Sequence, residues 1–181
     1  MHKSRTPVLT MLSALVLCAM VPIASGSGFA ILEQSPSRLG NAFAGATARD
    51  DDAGAIYWNA AGIAAISNTQ VIVGVNAILP SFEFDDKGST PVGGTADVDA
   101  GVDAYVPNVY AAMGISDTMT VGIGIYAPYG LKTKYDADWI GRYAAVETEL
   151  HTIDINPTVA IALSDSLSVG VGSRPSTQRP N

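Results

Sequence analysis

Five stretches of this chain alternate apolar residues with polar or small ones, and this period of two constrains the fold more than any other feature of the sequence. In the clearest stretch, residues 119–127, branched apolar residues occupy one parity while Gly122 and Gly124 occupy the other. Successive side chains of a β-strand point to opposite faces, so each stretch predicts a strand with one apolar face. The five stretches are residues 70–79, 105–115, 119–127, 150–163 and 167–172.

The connections between these stretches alternate between long and short. Residues 80–104 and 128–149 form long connections, whereas residues 116–118 and 164–166 form tight polar turns. Outer-membrane barrels have this asymmetry, and their tilted strands need about 10 residues to cross the bilayer. The sequence therefore predicts an all-β fold, a transmembrane antiparallel β-barrel of which about five strands are present. An exported soluble β-sandwich is the alternative, because its strands have the same period.

The N-terminus predicts export. Lys3 and Arg5 precede an apolar run over residues 8–24, and small residues follow it, which is typical of a signal peptide spanning residues 1–26. Without this segment the chain keeps 10 − 2 = 8 basic and 17 acidic residues, a formal charge of 8 − 17 = −9, which excludes nucleic acid as an expected partner. Because the single cysteine, Cys18, lies in the signal, no disulfide is expected after export.

Residues 28–66 do not alternate. Four apolar residues in this segment fall at positions i, i+3, i+4 and i+7 and predict a short amphipathic helix. They are Leu39, Ala42, Phe43 and Ala46. Three aspartates at 50–52 have no nearby residues that complete a calcium or magnesium shell, so a solvated turn or a helix N-terminal charge cluster is expected there, and no metal site. Asn59 is a preferred N-cap for the apolar segment that follows it.

The stretch GFAILEQSPSRLGNAFAGATARDDDAGAIYWNAAGIAAI (28–66) resembles the N-terminal hatch of FadL-type outer-membrane transporters, the OMPP1/FadL/TodX family. The motifs of that family have counterparts in Gly28-Phe29, Gly40 to Gly45, Asp51-Asp52-Ala53 and Asn59-Ala60-Ala61. The similarity continues through residues 127–150 and 155–172. Ala60 stands where the family has proline, so the fixed backbone angle of a proline at the first helical position is absent.

The resemblance implies a monomeric barrel of about fourteen strands in the outer membrane of a Gram-negative bacterium, with the hatch plugging its lumen. It implies passive passage of long-chain fatty acids or other hydrophobic compounds, contact with outer-membrane lipid, and no cofactor or catalytic residues. The hatch would span residues 27–66 and the first strands residues 67–172. Residues 173–181 are expected to be an unrelated or disordered tail, because the alternation stops and prolines enter. Since five strands do not close a barrel, this chain is expected to be an N-terminal part that does not transport alone.

The resemblance also suggests a ligand-binding set. An acyl chain gains about 0.8 kcal/mol per buried CH₂, so an apolar pocket beside the hatch can hold it. The expected hatch residues are Phe29, Leu39, Phe43, Asn59, Ala60 and Ile63. A carboxylate head requires a cation, for which Lys132, Lys134 and Arg142 are the candidates, with solvated surface charge as the alternative.

In the family, substrate leaves through a side opening near a kinked third strand. That strand corresponds to residues 119–127, in which Gly122 and Gly124 would ease a kink. Four aromatic residues follow in the long loop and are expected either to form an amphipathic capture surface or to mark the membrane boundary. They are Tyr129, Tyr135, Trp139 and Tyr143.

No enzyme motif is evident. His151 has no serine or cysteine nucleophile motif nearby, so a secreted hydrolase is the least favoured hypothesis. Glu147, Glu149 and Asp154 are predicted to form one acidic strand face that points into the lumen. The GIG and GVG sequences lack the helix and acidic partner of a dinucleotide-binding loop.

Overall fold

The computed structural model describes residues 28–48, 52–88, 93–96 and 98–180. The predicted signal peptide lies outside these residues, as do Asp50 and Asp51. Within the described ranges, two short α-helices and one 3₁₀ helix precede nine strands. The helices are α1 (Pro36–Leu39), α2 (Ala55–Trp58) and the 3₁₀ helix (Ala60–Ala65). No helix in the described part of the chain has the length and apolar character needed to cross a membrane.

The strands are β1 (Thr69–Ile78), β2 (Glu83–Phe84), β3 (Val98–Asp99), β4 (Ala104–Gly114), β5 (Met119–Tyr126), β6 (Gly130–Lys134), β7 (Glu147–Ser164), β8 (Leu167–Gly172) and β9 (Ser176–Pro180). The main sheet is antiparallel, in the order β1, β4, β5, β7, with β8 on the far edge of β7. Strands β2 and β3 pair with each other inside the first long connection. The predicted all-β antiparallel fold is thereby confirmed.

The predicted amphipathic helix from Leu39 to Ala46 is wrong. Helix α1 ends at Leu39, and turns follow through residue 48. Ala42 and Phe43 adopt left-handed backbone angles, with φ of 51° and 60°. Glycines at 40 and 45 give a helix little intrinsic support, so the local turns prevail over the apolar spacing.

Strand β9 comprises residues 176–180 of the predicted C-terminal tail, so this part of the tail is not a disordered segment. It pairs with β7 from Asp154↔Ser176 to Leu150↔Pro180, in the same offset as the Thr158↔Gly172 pair of β8. Strands β8 and β9 therefore form one edge of the sheet, which is interrupted at residues 173–175. An edge strand pairs through its backbone and accepts proline, so the lost alternation does not end the pairing.

The sheet is inverted relative to that of a soluble protein, because its apolar face is the exposed one. On β1, Val73 is 72% exposed whereas Asn76 is 7% exposed. On β7, Ile153, Ile155 and the alternate residues after them are exposed, while the polar residues between them are buried. An apolar outer band of this kind is what lipid requires of a barrel wall.

The N-terminal segment, residues 28–66, covers the polar face of the sheet. Its buried apolar residues pack against buried residues of β4, β5 and β7 in one cluster, which comprises Ala53, Ala55, Ile56, Ile63, Ile66, Tyr110, Ala112, Tyr126 and Ala160. Glycines allow this close approach. A Cβ at Gly122 would lie 2.7 Å from Ile56 Cδ1, and a Cβ at Gly170 would lie 2.3 Å from the backbone nitrogen of Ala61.

Candidate functional site

The third long strand is interrupted between β5 and β6. Both strands pair with β7, with Tyr126 opposite Asp154 and Gly130 opposite His151. The three residues 127–129 therefore face only the two residues 152–153, so one extra residue bulges from the strand. The break lies after the two glycines predicted to ease a kink, since Gly122 and Gly124 remain in register with both neighbours.

Thr152 holds this bulge. Its hydroxyl accepts a hydrogen bond from the backbone N–H of Tyr129 at 2.9 Å and donates one to the Tyr129 carbonyl at 2.6 Å. Thr152 is buried on the inner face of β7. A polar side chain thus replaces the ladder bonds that the extra residue displaces.

A gap opens in the sheet beside the bulge. The pairing of β4 with β5 starts at Val109↔Ile125, whereas the pairing of β4 with β1 continues to Ala104↔Ile78. Among the described strands, none pairs with residues 104–108 of β4 on the side that faces β6. The wall is therefore closed along one half of β4 and open along the other.

The beginning of the N-terminal segment lies against this gap. Ala30 forms an antiparallel bridge with Tyr129. The Ile31 N–H donates to the Pro128 carbonyl at 2.9 Å, and the Gly130 N–H donates to the Phe29 carbonyl at 3.1 Å. Residues 29–31 thus act as a short strand on the exposed edge of the bulge.

Gln34 ties the N-terminal segment to two strands. Its Nε2 donates to the carbonyls of Ile31 and Ala127, each at 2.8 Å. The Tyr110 hydroxyl donates to the Gln34 carbonyl at 2.8 Å, and both side chains are fully buried. These bonds hold the segment across the inner side of the gap.

A cavity of about 550 Å³ occupies the gap. Its walls include outer-face residues, such as Tyr105 and Ile153, and inner-face residues, such as Val106 and Thr152. Ile31 also lines it. The cavity is mainly apolar, and its volume is within the range of small-molecule sites.

A charged cluster forms one side of this cavity. Lys132 Nζ lies 2.9 Å from Glu149 Oε1 and 3.3 Å from Glu147 Oε1. His151 Nε2 lies 2.6 Å from the same Glu149 oxygen. These residues lie beyond the apolar band of β7, which begins at Ile153. Hydrogen bonds from Lys132 and then His151 lower the pKa of Glu149 to about 2. The hydrogen bonds that Lys132 donates to Glu149 and Glu147 raise the pKa of Lys132.

The predicted acidic face of β7 is wrong. Glu147 and Glu149 have odd positions in an unbroken strand, and Asp154 has an even one. Asp154 is buried on the inner face, whereas both glutamates pair with Lys132 at the outer rim of the cavity. The alternation of side chains along a strand makes one shared face impossible.

Of the three predicted cations, only Lys132 lines the cavity. The Lys134 side chain is exposed, and this residue lies opposite Glu147 in the pairing of β6 with β7. The Arg142 guanidinium donates to the Gly93 carbonyl at 2.6 Å and the Trp139 carbonyl at 3.0 Å, so it joins the two long loops.

The predicted hatch residues do not line this cavity. Phe29 and Leu39 are about half exposed, at 52% and 51%. Phe43 lies 5.8 Å from the Trp58 ring, and Ile63 is in the core cluster. Their role in ligand binding stays a prediction.

Asn59 and Ala60 have structural contacts in the N-terminal segment. The Asn59 carboxamide oxygen accepts from the Ala61 N–H at 3.1 Å, which makes Asn59 the N-cap of the 3₁₀ helix, and Ala60 lies against Gly170. A role for these two residues in ligand binding also stays a prediction.

The aspartate cluster has a structural role through Asp52. Its carboxylate accepts a hydrogen bond from the Gly54 N–H at 2.8 Å and lies 3.1 Å from Nη2 of the buried Arg38. The Ser37 hydroxyl donates to its other oxygen at 2.8 Å. Within the described ranges, no group of three or more potential metal ligands comes together.

The loop aromatics separate into two pairs. Trp139 is buried, stacks on Tyr135 with ring centroids 3.8 Å apart, and donates its indole N–H to the Ala145 carbonyl. Tyr129 and Tyr143 are exposed. The first pair stabilises the loops, so only the second remains available for a surface role.

The comparisons with known proteins identify the fold. A family model described as outer membrane protein transport protein (OMPP1/FadL/TodX) matches residues 16–180. The long-chain fatty acid transport protein of Salmonella typhi is 33% identical over 147 residues, which are 81% of this chain and 33% of that protein. The 47 kDa outer membrane protein of Pasteurella multocida (strain Pm70) is 30% identical over 145 residues, 80% of this chain and 33% of that protein.

A solved structure has the same fold. The crystal structure of a Pseudomonas aeruginosa FadL homologue matches with a TM-score of 0.63 at 23% identity, over 81% of this chain and 37% of that one. The chain spans about a third of the length of the curated relatives it matches. The predicted FadL-type barrel fold and outer-membrane location are confirmed, and the family is one of transport proteins. This chain belongs to the OMPP1/FadL/TodX family of outer-membrane transport proteins.

Proposed function

We propose that this chain supplies the hatch and the side opening of an outer-membrane channel for fatty acids or other hydrophobic compounds. The observation that carries the proposal is the gap between β4 and β6, occupied by a cavity with walls from both faces of the sheet. In a barrel these faces meet the lumen and the lipid. A hydrophobic molecule therefore has a lateral route from the lumen to the membrane.

The driving force is burial. Each CH₂ group that leaves water gains about 0.8 kcal/mol, and the apolar walls of the cavity supply that environment without covalent chemistry. The final step, from cavity to lipid, exchanges one apolar environment for another. Passive movement is the consequence, because no energy input is needed to leave a site that resembles the lipid.

The N-terminal segment acts as the hatch in this proposal. It packs on the inner face through the core cluster and reaches the gap with residues 29–31. The sheet has two outer edges, at β1 and at β8 with β9. Since open edges are not stable in lipid, the proposed channel includes further strands, and transport by these strands alone is not expected.

Filling the cavity tests the proposal. Ala104 lines it at the start of β4, so Ala104→Trp places a large ring in the gap. The matched control is Ala77→Trp on the exposed face of β1. We expect the chain, folded in detergent micelles, to bind the neutral fluorophore N-phenyl-1-naphthylamine at least about tenfold more weakly in the first variant, a loss of about 1.4 kcal/mol. Equal binding by both variants would contradict the proposed site.

A further inference from the structure

We infer that the side cavity selects uncharged hydrophobic molecules and rejects carboxylates, because the cation on its rim is already neutralised by the protein. This inference rests on the proposed function of the cavity and names the substrate class that passes through it. The residues that carry it are Lys132, Glu147, Glu149 and Asp103.

The geometry of Lys132 leaves little for a ligand head group. Its ammonium contacts a carboxylate oxygen of Glu149 at 2.9 Å and one of Glu147 at 3.3 Å. A fatty acid carboxylate would have to share Lys132 with both glutamates, which are held beside it by the pairing of β6 with β7. Because the pKa of Glu149 is lowered to about 2, its charge persists at every physiological pH.

The charges around the cavity are net negative. Asp103 and Glu149 line it against the one ammonium of Lys132, a sum of 1 − 2 = −1. The first long connection has the same sign, with six acidic residues and one lysine between 80 and 103. Like charges repel an approaching anion and lower its local concentration.

The penalty applies to the head group and not to the tail. A carboxylate that enters an apolar cavity loses hydration and needs a new partner, whereas a hydroxyl loses far less. Two ligands with the same alkyl tail therefore differ in affinity through their head groups alone. The site is expected to prefer the uncharged member of the pair.

The test compares 1-decanol with decanoate at pH 8.5 as competitors of N-phenyl-1-naphthylamine. Each measurement is made on the wild-type chain and on Ala104→Trp in the same micelles, so that partition of the ligand into detergent cancels. We expect decanol to compete at least about tenfold more effectively than decanoate, a difference of about 1.4 kcal/mol. Decanoate competing as well as decanol, or better, would overturn the inference. If neither competes at the cavity, the proposed function itself fails.

Two sets of variants locate the selectivity. The double substitution Glu147→Gln, Glu149→Gln removes both partners of Lys132 and should raise decanoate affinity toward that of decanol. Asp117→Asn with Asp165→Asn removes the same charge from the exposed turns at the other end of the sheet and should leave the preference unchanged. A preference that shifts equally in both double variants would overturn the local assignment.

Discussion

The two halves of the wall formed by β4 differ in what closes them. From Val109 to Gly114, β4 pairs in continuous register with β5, and β5 pairs with β7. From Ala104 to Asn108, the side of β4 that faces β6 has no strand partner among the described residues. There the N-terminal segment and a cavity take the place of a ladder.

The difference shows how one sheet can contain both a continuously paired wall and an opening. The closed half has an outer row of branched apolar residues and an inner face buried by the N-terminal segment. In the open half, the bulge after Tyr126 shifts the next strand by one residue, and Lys132 then shares a face with Glu149. A single extra residue thus ends the ladder and creates the charged rim.

The largest expected effect on stability is at Gly170 of β8, which lies in line with the closed half of β4 across β7 and β5. A Cβ there would lie 2.3 Å from the Ala61 nitrogen and 2.4 Å from the Ala60 carbonyl carbon, and backbone atoms cannot move aside cheaply. We expect Gly170→Ala to lower the free energy of unfolding by about 3 kcal/mol, measured by urea titration in micelles. Gly40→Ala is the control, since a Cβ there meets nothing within 4 Å and φ is −61°. Comparable losses in both variants would contradict the packing account.

The next effect concerns the hydrogen bond by which Tyr110 of β4 holds the N-terminal segment. Tyr110→Phe removes the hydroxyl that donates to the Gln34 carbonyl and leaves a buried acceptor unpaired. The expected loss is about 2 kcal/mol, with faster proteolysis of the N-terminal segment. Tyr105→Phe on the exposed face of the same strand should change neither quantity. Unaltered proteolysis of Tyr110→Phe would show that this bond does not hold the segment.

A smaller effect is expected in the open half at the bulge. Thr152→Val keeps the shape of the side chain but removes both hydrogen bonds to Tyr129. We expect a loss of about 1 kcal/mol and faster hydrogen exchange of the Tyr129 amide. Thr148→Val, at an exposed position of the same strand, is the matched control. Exchange at the wild-type rate in Thr152→Val would exclude this role for the hydroxyl.

The smallest expected effect is the pH dependence of the stability that Glu149, on the charged rim of the cavity, contributes. The pKa of Glu149 lies below its ordinary value, at about 2, because Lys132 and His151 hydrogen-bond its carboxylate. A depressed pKa stabilises the folded chain above the unfolded value of about 4.5 and loses that contribution as the pH falls toward 2. The difference in stability between wild type and Glu149→Gln should therefore be constant above about pH 5 and shrink below it. A difference that grows on acidification would refute the assignment.

The strands of the closed half could be predicted from the sequence because their alternation is intact. Stretches 105–115 and 119–127 correspond to β4 and β5 within one residue at each end. The sequence predicts a long connection where β6 forms, since Gly130–Lys134 has no apolar alternation and becomes a strand only by pairing with β7. Strand β7 likewise begins at Glu147, before the predicted residue 150, because its polar start lies beyond the apolar band.

The site was less accessible to sequence reasoning because a gap is a property of strand partners that are distant in the chain. Pro128 was the available signal, since a proline cannot donate to a ladder and so favours an interruption at that point. Lys132 was identified as a cation, but its two glutamate partners depend on the register set by the bulge. Ile31 and Thr152 gave no signal of their own, because their roles follow from the bulge alone.

The central claim is that residues 29–31 lie in the gap, on the edge of the bulge. The Ala30–Tyr129 pair has the geometry of a non-hydrogen-bonded antiparallel pair, whose Cα atoms lie about 4.5 Å apart and accept a disulfide. In a Cys18→Ser background, Ala30→Cys with Tyr129→Cys should oxidise as readily as the cross-strand control Ala111→Cys with Ile123→Cys, read as a loss of free thiol by mass spectrometry. A control that oxidises fully while the Ala30 and Tyr129 pair stays reduced would contradict the account.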